Sequence, residues 1–475
     1  GGACLALVGS WSFLAARDYF AQPPWFAALF ALSLPLTASG IALYYAAAFP
    51  CVRVLARLTG AERAARRGSD GTRPGTRSRA IGGTCARTCA HTWGRICARV
   101  CGFASIWTLC EAVRASLWMG NPWAKLGDAL ADSPLLAAAA DLGGVWLLSW
   151  LAAAVSASVG VAWAERGNSR EVRRALGVGA ALLAFQFGYG GWSLSPSDSD
   201  ASSAASAPVL RVAIVQAAIG KHALWKSDGP GDAFETQIAL SRSAALAGAD
   251  LVVWPENATT FLIDANPERR ARLQGLARDL GAALLVGGSR SAAAPGGDVR
   301  VYNSAFLFRP GGDEPSVYDK RILMPYTEHV PAWAAALVGS SWQGAYGAGT
   351  VQVLFDVKGW KIAPLLCFES IYPGLAREAA QAGADLLVNL SNDSWFDQGA
   401  GPEQHFAMAR LRAIENHLPL LRVATTGISA LVDARGRLVQ QLPSRRQEVA
   451  LVEVRRGPGP SWFASAGSVL RPLNR

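Results

Sequence analysis

Beyond position 110 this 475-residue chain has a single cysteine, Cys367. That scarcity excludes a disulfide staple within the C-terminal part of the chain. A lone thiol at the end of an apolar run is either an inert core residue or a nucleophile. Charge is scarce as well. Asp, Glu, Lys and Arg make up 17% of the residues, against about 25% in soluble proteins. There is no charged n-region followed by a cleavage site, so no removable signal peptide is read. Residues 51–100 contain no lysine.

What is present points to a membrane. Hydrophobic residues reach 51%, with 17 tryptophans. Residues 25–49 form an uncharged apolar run, longer than the ~20 residues a spanning helix needs. Further spans are expected at 100–118, 135–163 and 175–192, with a partial one at about 3–20. The segment 51–99 reads as a basic loop, since residues 51–100 hold 11 arginines against Glu62 and Asp70. Nucleic acid or anionic lipid could bind such a loop, but the apolar flanks favour a cytoplasmic loop under the positive-inside rule. Arg166, Arg170, Arg173 and Arg174 place the 165–174 connection on the same side. The 119–134 loop, and everything after 192, then lies on the outer face. Cys85, Cys89, Cys97 and Cys101, with His91 among them, fit no common zinc spacing and suit one face of a helix better. No metal or other cofactor is expected.

Residues 193–208 are a Ser/Ala/Asp linker by composition. From 209 to about 456 the pattern changes to short β-rich runs (209–217, 250–255, 282–288, 301–308, 351–357, 361–367, 385–391, 418–424, 428–433). Helical stretches at 233–247, 268–280, 373–383 and 403–417 alternate with them. This predicts a layered α/β domain. Residues 457–475 read as a tail too short and interrupted to span, in the manner of a truncated membrane anchor.

Three phrases put ionisable groups at strand ends: Trp254-Pro255-Glu256, Tyr318-Asp319-Lys320 with Glu328 following, and Leu366-Cys367-Phe368-Glu369. A nucleophilic thiol needs a base, and Glu256 can serve if burial raises its pKa. A tetrahedral intermediate needs a positive group, and Lys320 can supply it. Singly, Glu256 reads as a surface acid, Lys320 as a solvated cation, Glu328 as a loop acid and Glu369 as a salt-bridge partner. Only their order and context carry weight.

In that order and context the phrases resemble the nitrilase, or carbon–nitrogen hydrolase, superfamily. With apolar helices in front, the chain is similar to the bacterial apolipoprotein N-acyltransferases. The stretch 100–118 with Trp107, Glu111 and Arg114, then Asn121-Pro122-Trp123, resembles that family's membrane signature. Asn389–Phe396 and the segment His405–Arg422, with Arg410, Arg412 and Glu415, resemble two further family motifs. The resemblance implies a multi-pass α-helical membrane domain over 1–192, followed by a four-layer α-β-β-α sandwich. It implies a ping-pong acyl transfer with Glu256, Lys320 and Cys367 as the catalytic triad and Glu328, Glu369 and Phe368 in support. The implied donor is a membrane phospholipid, with phosphatidylethanolamine expected. The acceptor would be the α-amine of a diacylglyceryl-cysteine on a lipoprotein, the setting a bilayer at the inner membrane with the catalytic domain on its periplasmic face, and no nucleic acid is involved. Trp225, Trp333, Trp342, Tyr346, Asn392 and Trp395 are the substrate- or lipid-contact candidates. The uncharged stretch 332–349 is expected to act as an apolar lid. Phe368 stands where a tyrosine is common, Thr425-Thr426 where two asparagines are, and Thr327 where a glycine is. A membrane-tethered amidase using water, or a scaffold that no longer catalyses, are the competing readings.

Overall fold

A computed structural model describes residues 81–116, 122–195, 208–220, 230–246, 248–293, 297–312, 314–325, 327–329, 346–396 and 400–466. The expected spans at 3–20 and 25–49, Trp225, Trp333 and Trp342 lie outside the described residues.

The N-terminal part is helical: α1 (Ile81–Ser116), the short α2 (Pro134–Ala137), α3 (Ala140–Ala164) and α4 (Ser169–Leu194). One expectation is corrected here. Helix α1 starts at Ile81, so the basic segment read as a loop to 99 is helical from that point. The span expected over 135–163 is carried by α3, preceded by the short α2, and α3 itself breaks at Gly143–Gly144. Among the described residues, only Trp93–Ser116 and Ala140–Ala164 are long and apolar enough to cross a membrane. The stretch expected to span at 175–192 lies in α4, where five glycines and Gln186 dilute the apolar content.

Gly144 has φ +66°, a conformation glycine tolerates without penalty. A Cβ there would sit 2.6 Å from the Phe463 ring. The break leaves the Val145 N–H without a helical carbonyl, and it donates instead to Glu415 Oε1 at 2.8 Å. Irregular backbone at a membrane-type helix is tolerated where protein satisfies it in this way.

The C-terminal part builds two six-stranded sheets. Its strands are β1 (Val209–Gln216), β2 (Leu251–Val253), β3 (Ala283–Ala293), β4 (Val299–Phe308), β5 (Ser316–Asp319), β6 (Phe355–Val357), β7 (Trp360–Leu366), β8 (Leu386–Ser391), β9 (Leu420–Ala424), β10 (Ala430–Val432), β11 (Leu438–Gln441) and β12 (Glu448–Arg455). The orders are β12-β1-β2-β3-β4-β5 and β11-β10-β9-β8-β7-β6. Strands β1-β2-β3 and β7-β8-β9 run parallel at the centre of each sheet.

Strand alternation explains the layering. Leu210, Val212 and Ile214 of β1, Leu251 and Val253 of β2, and Leu386, Val388 and Leu390 of β8 point between the sheets into one shared core. Their neighbours Ala213, Val215 and Val252 point outward, onto α5 (Pro230–Leu246) and α6 (Pro267–Leu280), where Phe234, Ile238, Leu273 and Leu276 wait. Leu387 and Leu365 meet α7 (Pro373–Gln381) and α8 (Gly401–Asn416) on the other side, through Leu375, Ala376, Met408 and Ala409. The result is four layers, α-β-β-α.

Helix α8 also carries Leu411 and Ile414 into the core of the N-terminal helices, beside Ala112, Trp146 and Leu151. Within the expected tail, Ser461 caps the short α9 (Trp462–Ser465) and Phe463 is fully buried against α3. This part of 457–475 is docked structure. At the other junction, α4 continues to Leu194, inside the segment expected as linker.

Candidate active site

The ends of β2, β5 and β7 bring Glu256, Lys320 and Cys367 to one place. Glu256 sits two residues past Trp254, which is fully buried and donates its indole N–H to Ser241 Oγ at 2.7 Å. Gly287 of β3 lies underneath. A Cβ there would come within 2.4 Å of the Pro255 carbonyl and 2.6 Å of Glu256 Cα. Lys320 follows β5, with its N–H on the Asn303 carbonyl at 2.8 Å. Cys367 follows β7 with φ +47°, a left-handed conformation that costs a non-glycine residue energy and is held by its surroundings.

Lys320 Nζ donates to Glu256 Oε1 at 3.0 Å and to Glu328 at 2.9 Å. Asn303 Nδ2 bridges the same two carboxylates, at 2.8 Å to Glu256 and 2.7 Å to Glu328. The Asn392 N–H donates to Glu256 Oε2 at 2.9 Å. Glu256, Lys320 and Cys367 are each less than 5% exposed. Burial raises the Glu256 pKa, and the Glu328 charge adds to that against the opposing pull of Lys320. Burial disfavours the charge on Lys320, yet its two carboxylate partners outweigh this and hold its pKa well above the lysine range. Burial and the Glu256 charge push the Cys367 thiol far up. The thiol is therefore protonated at rest and needs a base.

Glu369 ties the nucleophile to the lysine loop. Its carboxylate accepts from Leu366 N–H at 2.8 Å, Arg321 N–H at 2.6 Å, Ile322 N–H at 3.2 Å and the Tyr318 hydroxyl at 2.9 Å. Phe368 makes no polar contribution by its side chain; it packs edge-on to Tyr372 in the apolar core.

Behind Cys367 lies a second buried network. His405 Nε2 is 3.1 Å from the Cys367 carbonyl, which can only accept, so this nitrogen carries the proton. The Ser370 hydroxyl donates to the same carbonyl at 2.9 Å. Arg422 Nη2 donates to His405 Nδ1 at 3.0 Å and to Asp393 at 2.8 Å. Burial and the Arg422 charge lower the His405 pKa, so the ring is neutral. The Arg422 charge holds Asp393 well below the usual carboxylate range despite its burial.

Among the other candidates, Tyr346 and Asn392 line a cleft of about 180 Å3 beside Glu256, together with Asn257, Ser289 and Val301. Trp395 does not. It stacks on Phe396 at 3.7 Å and is buried in the α7/α8 core. Sequence reasoning missed Asn303, although an asparagine inside the apolar run of β4 was a visible signal. It quoted His405, Asp393 and Arg422 only as parts of motifs, because their convergence under Cys367 depends on three separate elements.

A buried thiol beside a carboxylate–lysine–carboxylate cluster, at the strand ends of a double-sheet sandwich, defines a cysteine hydrolase or transferase of the carbon–nitrogen hydrolase type. Residues 211–462 match the family model described as carbon-nitrogen hydrolase, and residues 75–158 match the one described as apolipoprotein N-acyltransferase N-terminal domain. An apolipoprotein N-acyltransferase of Geobacter metallireducens is 34% identical over 77% of this chain and 70% of that protein. Those of Sinorhizobium medicae and Azotobacter vinelandii are 31% and 33% identical, over 70% and 74% of this chain and 62% and 66% of theirs. The chain belongs to the apolipoprotein N-acyltransferase family. It spans 62% to 70% of the length of these three relatives.

Proposed function

We propose that the chain transfers an acyl group from a membrane phospholipid to the α-amine of a lipoprotein's N-terminal diacylglyceryl-cysteine. Glu256 takes the Cys367 proton as the sulfur attacks the ester carbonyl of the donor. Lys320 faces the developing oxyanion, and Glu328 and Asn303 keep it in place. The tetrahedral intermediate collapses, the lysophospholipid alkoxide leaves with the proton held by Glu256, and a thioester remains on Cys367. The acceptor amine then attacks the thioester carbonyl and gives a proton to Glu256. Collapse breaks the C–S bond, forms the amide and returns the proton to sulfur. Phosphatidylethanolamine is the donor we expect.

The observation that carries this reading is the shared grip on Glu256. Lys320, Asn303 and the Asn392 N–H all bind a carboxylate whose pKa burial has raised, as a general base for a high-pKa thiol requires. The N-terminal helices favour a lipid donor over a soluble amide. We read them as part of a multi-pass membrane domain with the sandwich on the outer face. Support comes from Arg435 and Arg437, which donate to the carbonyls of Ser193 and Leu194 at the C-terminal end of α4, while the arginine-rich turn lies at the opposite end of that helix. Trp163 and Trp192 are both 72% exposed, near opposite ends of the α3–α4 pair, as interfacial tryptophans would be.

The test is incubation of the membrane-embedded protein with acyl-labelled phosphatidylethanolamine. A hydroxylamine-labile label on Cys367 that a diacylated lipopeptide discharges is the expected result. No label on the wild-type protein, or an equal hydroxylamine-labile label on Cys367→Ser, would sink the mechanism.

A further inference from the structure

The cleft beside Glu256 contains one side chain whose polar orientation is fixed and whose use is unassigned. Asn392 is 5% exposed and lines the cleft. Its Oδ1 accepts three hydrogen bonds, from Ser394 N–H at 3.2 Å, Ser394 Oγ at 2.7 Å and Thr425 Oγ1 at 2.9 Å. The Ser394 backbone N–H can only donate, so the atom it meets is the oxygen; the two hydroxyls then donate to the same atom and hold the amide in one orientation. The Nδ2 group is thereby left as the free end, and among the described residues it has no hydrogen-bond partner. A preorganised donor, nine-tenths buried and without a partner, stands next to the carboxylate that takes the acceptor's proton, because the backbone N–H of the same residue holds Glu256 Oε2.

The surroundings narrow what this donor meets. None of the described residues lining the cleft is charged; Asn257, Thr259 and Ser289 stand near it, with Phe261, Leu262 and Val301 on the apolar side. Its volume, about 180 Å3, is roughly the share of six waters in the liquid. That admits one or two peptide units. A neutral carbonyl oxygen is the complement of an uncharged amide N–H in such a site. The Thr425 hydroxyl is one of the three groups that aim the amide.

We propose that Asn392 Nδ2 binds the main-chain carbonyl oxygen of the acceptor's N-terminal cysteine residue, setting its α-amine beside Glu256 for attack on the thioester. This rests on the acyl-transfer reading above, and it assigns Asn392 a positioning contact to the second substrate only.

The test separates the two half-reactions. Full-length protein is first charged with labelled phosphatidylethanolamine. The acyl-enzyme is then discharged by either of two acceptors. One is an S-diacylglyceryl-cysteinyl peptide; the other is S-diacylglyceryl-cysteamine, which keeps the amine and lacks the carbonyl. Wild-type protein should prefer the peptide by about tenfold in kcat/KM, the scale of one hydrogen bond. Asn392→Ala should lose that preference, and Thr425→Val should weaken it. General damage slows both acceptors alike and leaves the preference in place. A wild-type protein without preference, or a preference that persists in Asn392→Ala, overturns the inference while leaving the acyl-transfer reading intact. Should Asn392→Ala not fold, Thr425→Val decides: an unchanged preference overturns the inference. Failure of wild-type protein to take up label overturns the acyl-transfer reading instead.

Discussion

Replacing Asp393 by alanine would leave the Arg422 guanidinium charged and uncompensated in the core. Both residues are essentially inaccessible to water. Arg422 now donates to Asp393 at 2.8 Å and 2.9 Å, to Ser391 Oγ at 3.0 Å and to the Asn389 carboxamide oxygen. Breaking a buried pair from one side costs about 3–5 kcal/mol, mostly for the stranded charge. For a domain of about 250 residues each kcal/mol moves the transition by roughly 2–4 °C, so the apparent Tm should fall by about 6–20 °C. Thermal unfolding in detergent, at one fixed scan rate, measures this. Removing both charges together, Asp393→Ala with Arg422→Met, should cost less than Asp393→Ala alone. The pH dependence has a defined sign. Asp393 has a depressed folded pKa, so its contribution is complete above the unfolded carboxylate value of about 4 and is lost as pH falls through the folded value. The gap between wild type and Asp393→Ala should therefore be constant from neutrality down to about pH 4 and shrink below it. A single variant within about 1 kcal/mol of wild type, or a double variant with strictly additive losses, would refute the reasoning.

Other substitutions probe the site and its frame. Gly287→Ala forces a methyl against the Pro255 carbonyl and Glu256 Cα, both backbone atoms that cannot swing aside. A displaced base of about 1 Å predicts a loss of about 100-fold in thioester formation, read as labelling rate at saturating donor; a loss below threefold would count against it. Thioester formation should rise with pH as Glu256, whose pKa burial raises, loses its proton. It should then stay level through pH 8–9, because the thiol titrates far above its ordinary range and Lys320 remains charged. A rise centred on the free-cysteine pKa of about 8.5 would show that Glu256 is not the base. Gly144→Ala places a side chain at φ +66° against the Phe463 ring. It should destabilise the chain by about 1–3 kcal/mol, and an unchanged unfolding midpoint would contradict that account of the α3 break.

The sandwich was largely visible in the sequence because its central strands are continuous apolar runs. Segments such as Leu386–Ser391 and Leu251–Val253 are buried at every position, and short apolar runs of that kind between turn signals read as strands. Strands β5, β11 and β12 were missed for the opposite reason. β11 is exposed along its whole length, and β12 is an edge strand with alternating exposure, so neither carries a strong apolar signal. The convergence of Glu256, Lys320 and Cys367 was legible from phrase order. The cross-strand contacts were not, since Asn303 reaches Glu256, and Glu369 reaches Tyr318 and Arg321, only when β2, β4, β5 and β7 are brought together. The α3 break was hidden because Gly143-Gly144 sits in a run that is otherwise uniformly apolar. The group that satisfies its freed N–H is 270 residues away in sequence, at Glu415.

That distant contact shows why the helices and the sandwich have to be considered together. Helix α8 has one end at the nucleophile, where His405 donates to the Cys367 carbonyl. Gln404 accepts from the Trp123 indole at 2.8 Å, and Arg410 pairs with Asp132 at 3.7 Å. One turn further, Leu411 and Ile414 enter the core of the N-terminal helices and Glu415 accepts the freed N–H of Val145. His417, at the helix end, lies 3.2 Å from Asp141, which also accepts from Tyr189 of α4. A hydrolase acting on a soluble amide needs no such face on this helix. Here the face is apolar, carries a buried Arg412–Glu415 pair, and is covered by α1 and α3. The strained turn at Cys367 is thus braced by a helix whose opposite side is fixed to membrane-type helices. On the acyl-transfer proposal, the thiol that attacks the lipid ester is held, through α8, by the same helices that would set its position at the lipid surface.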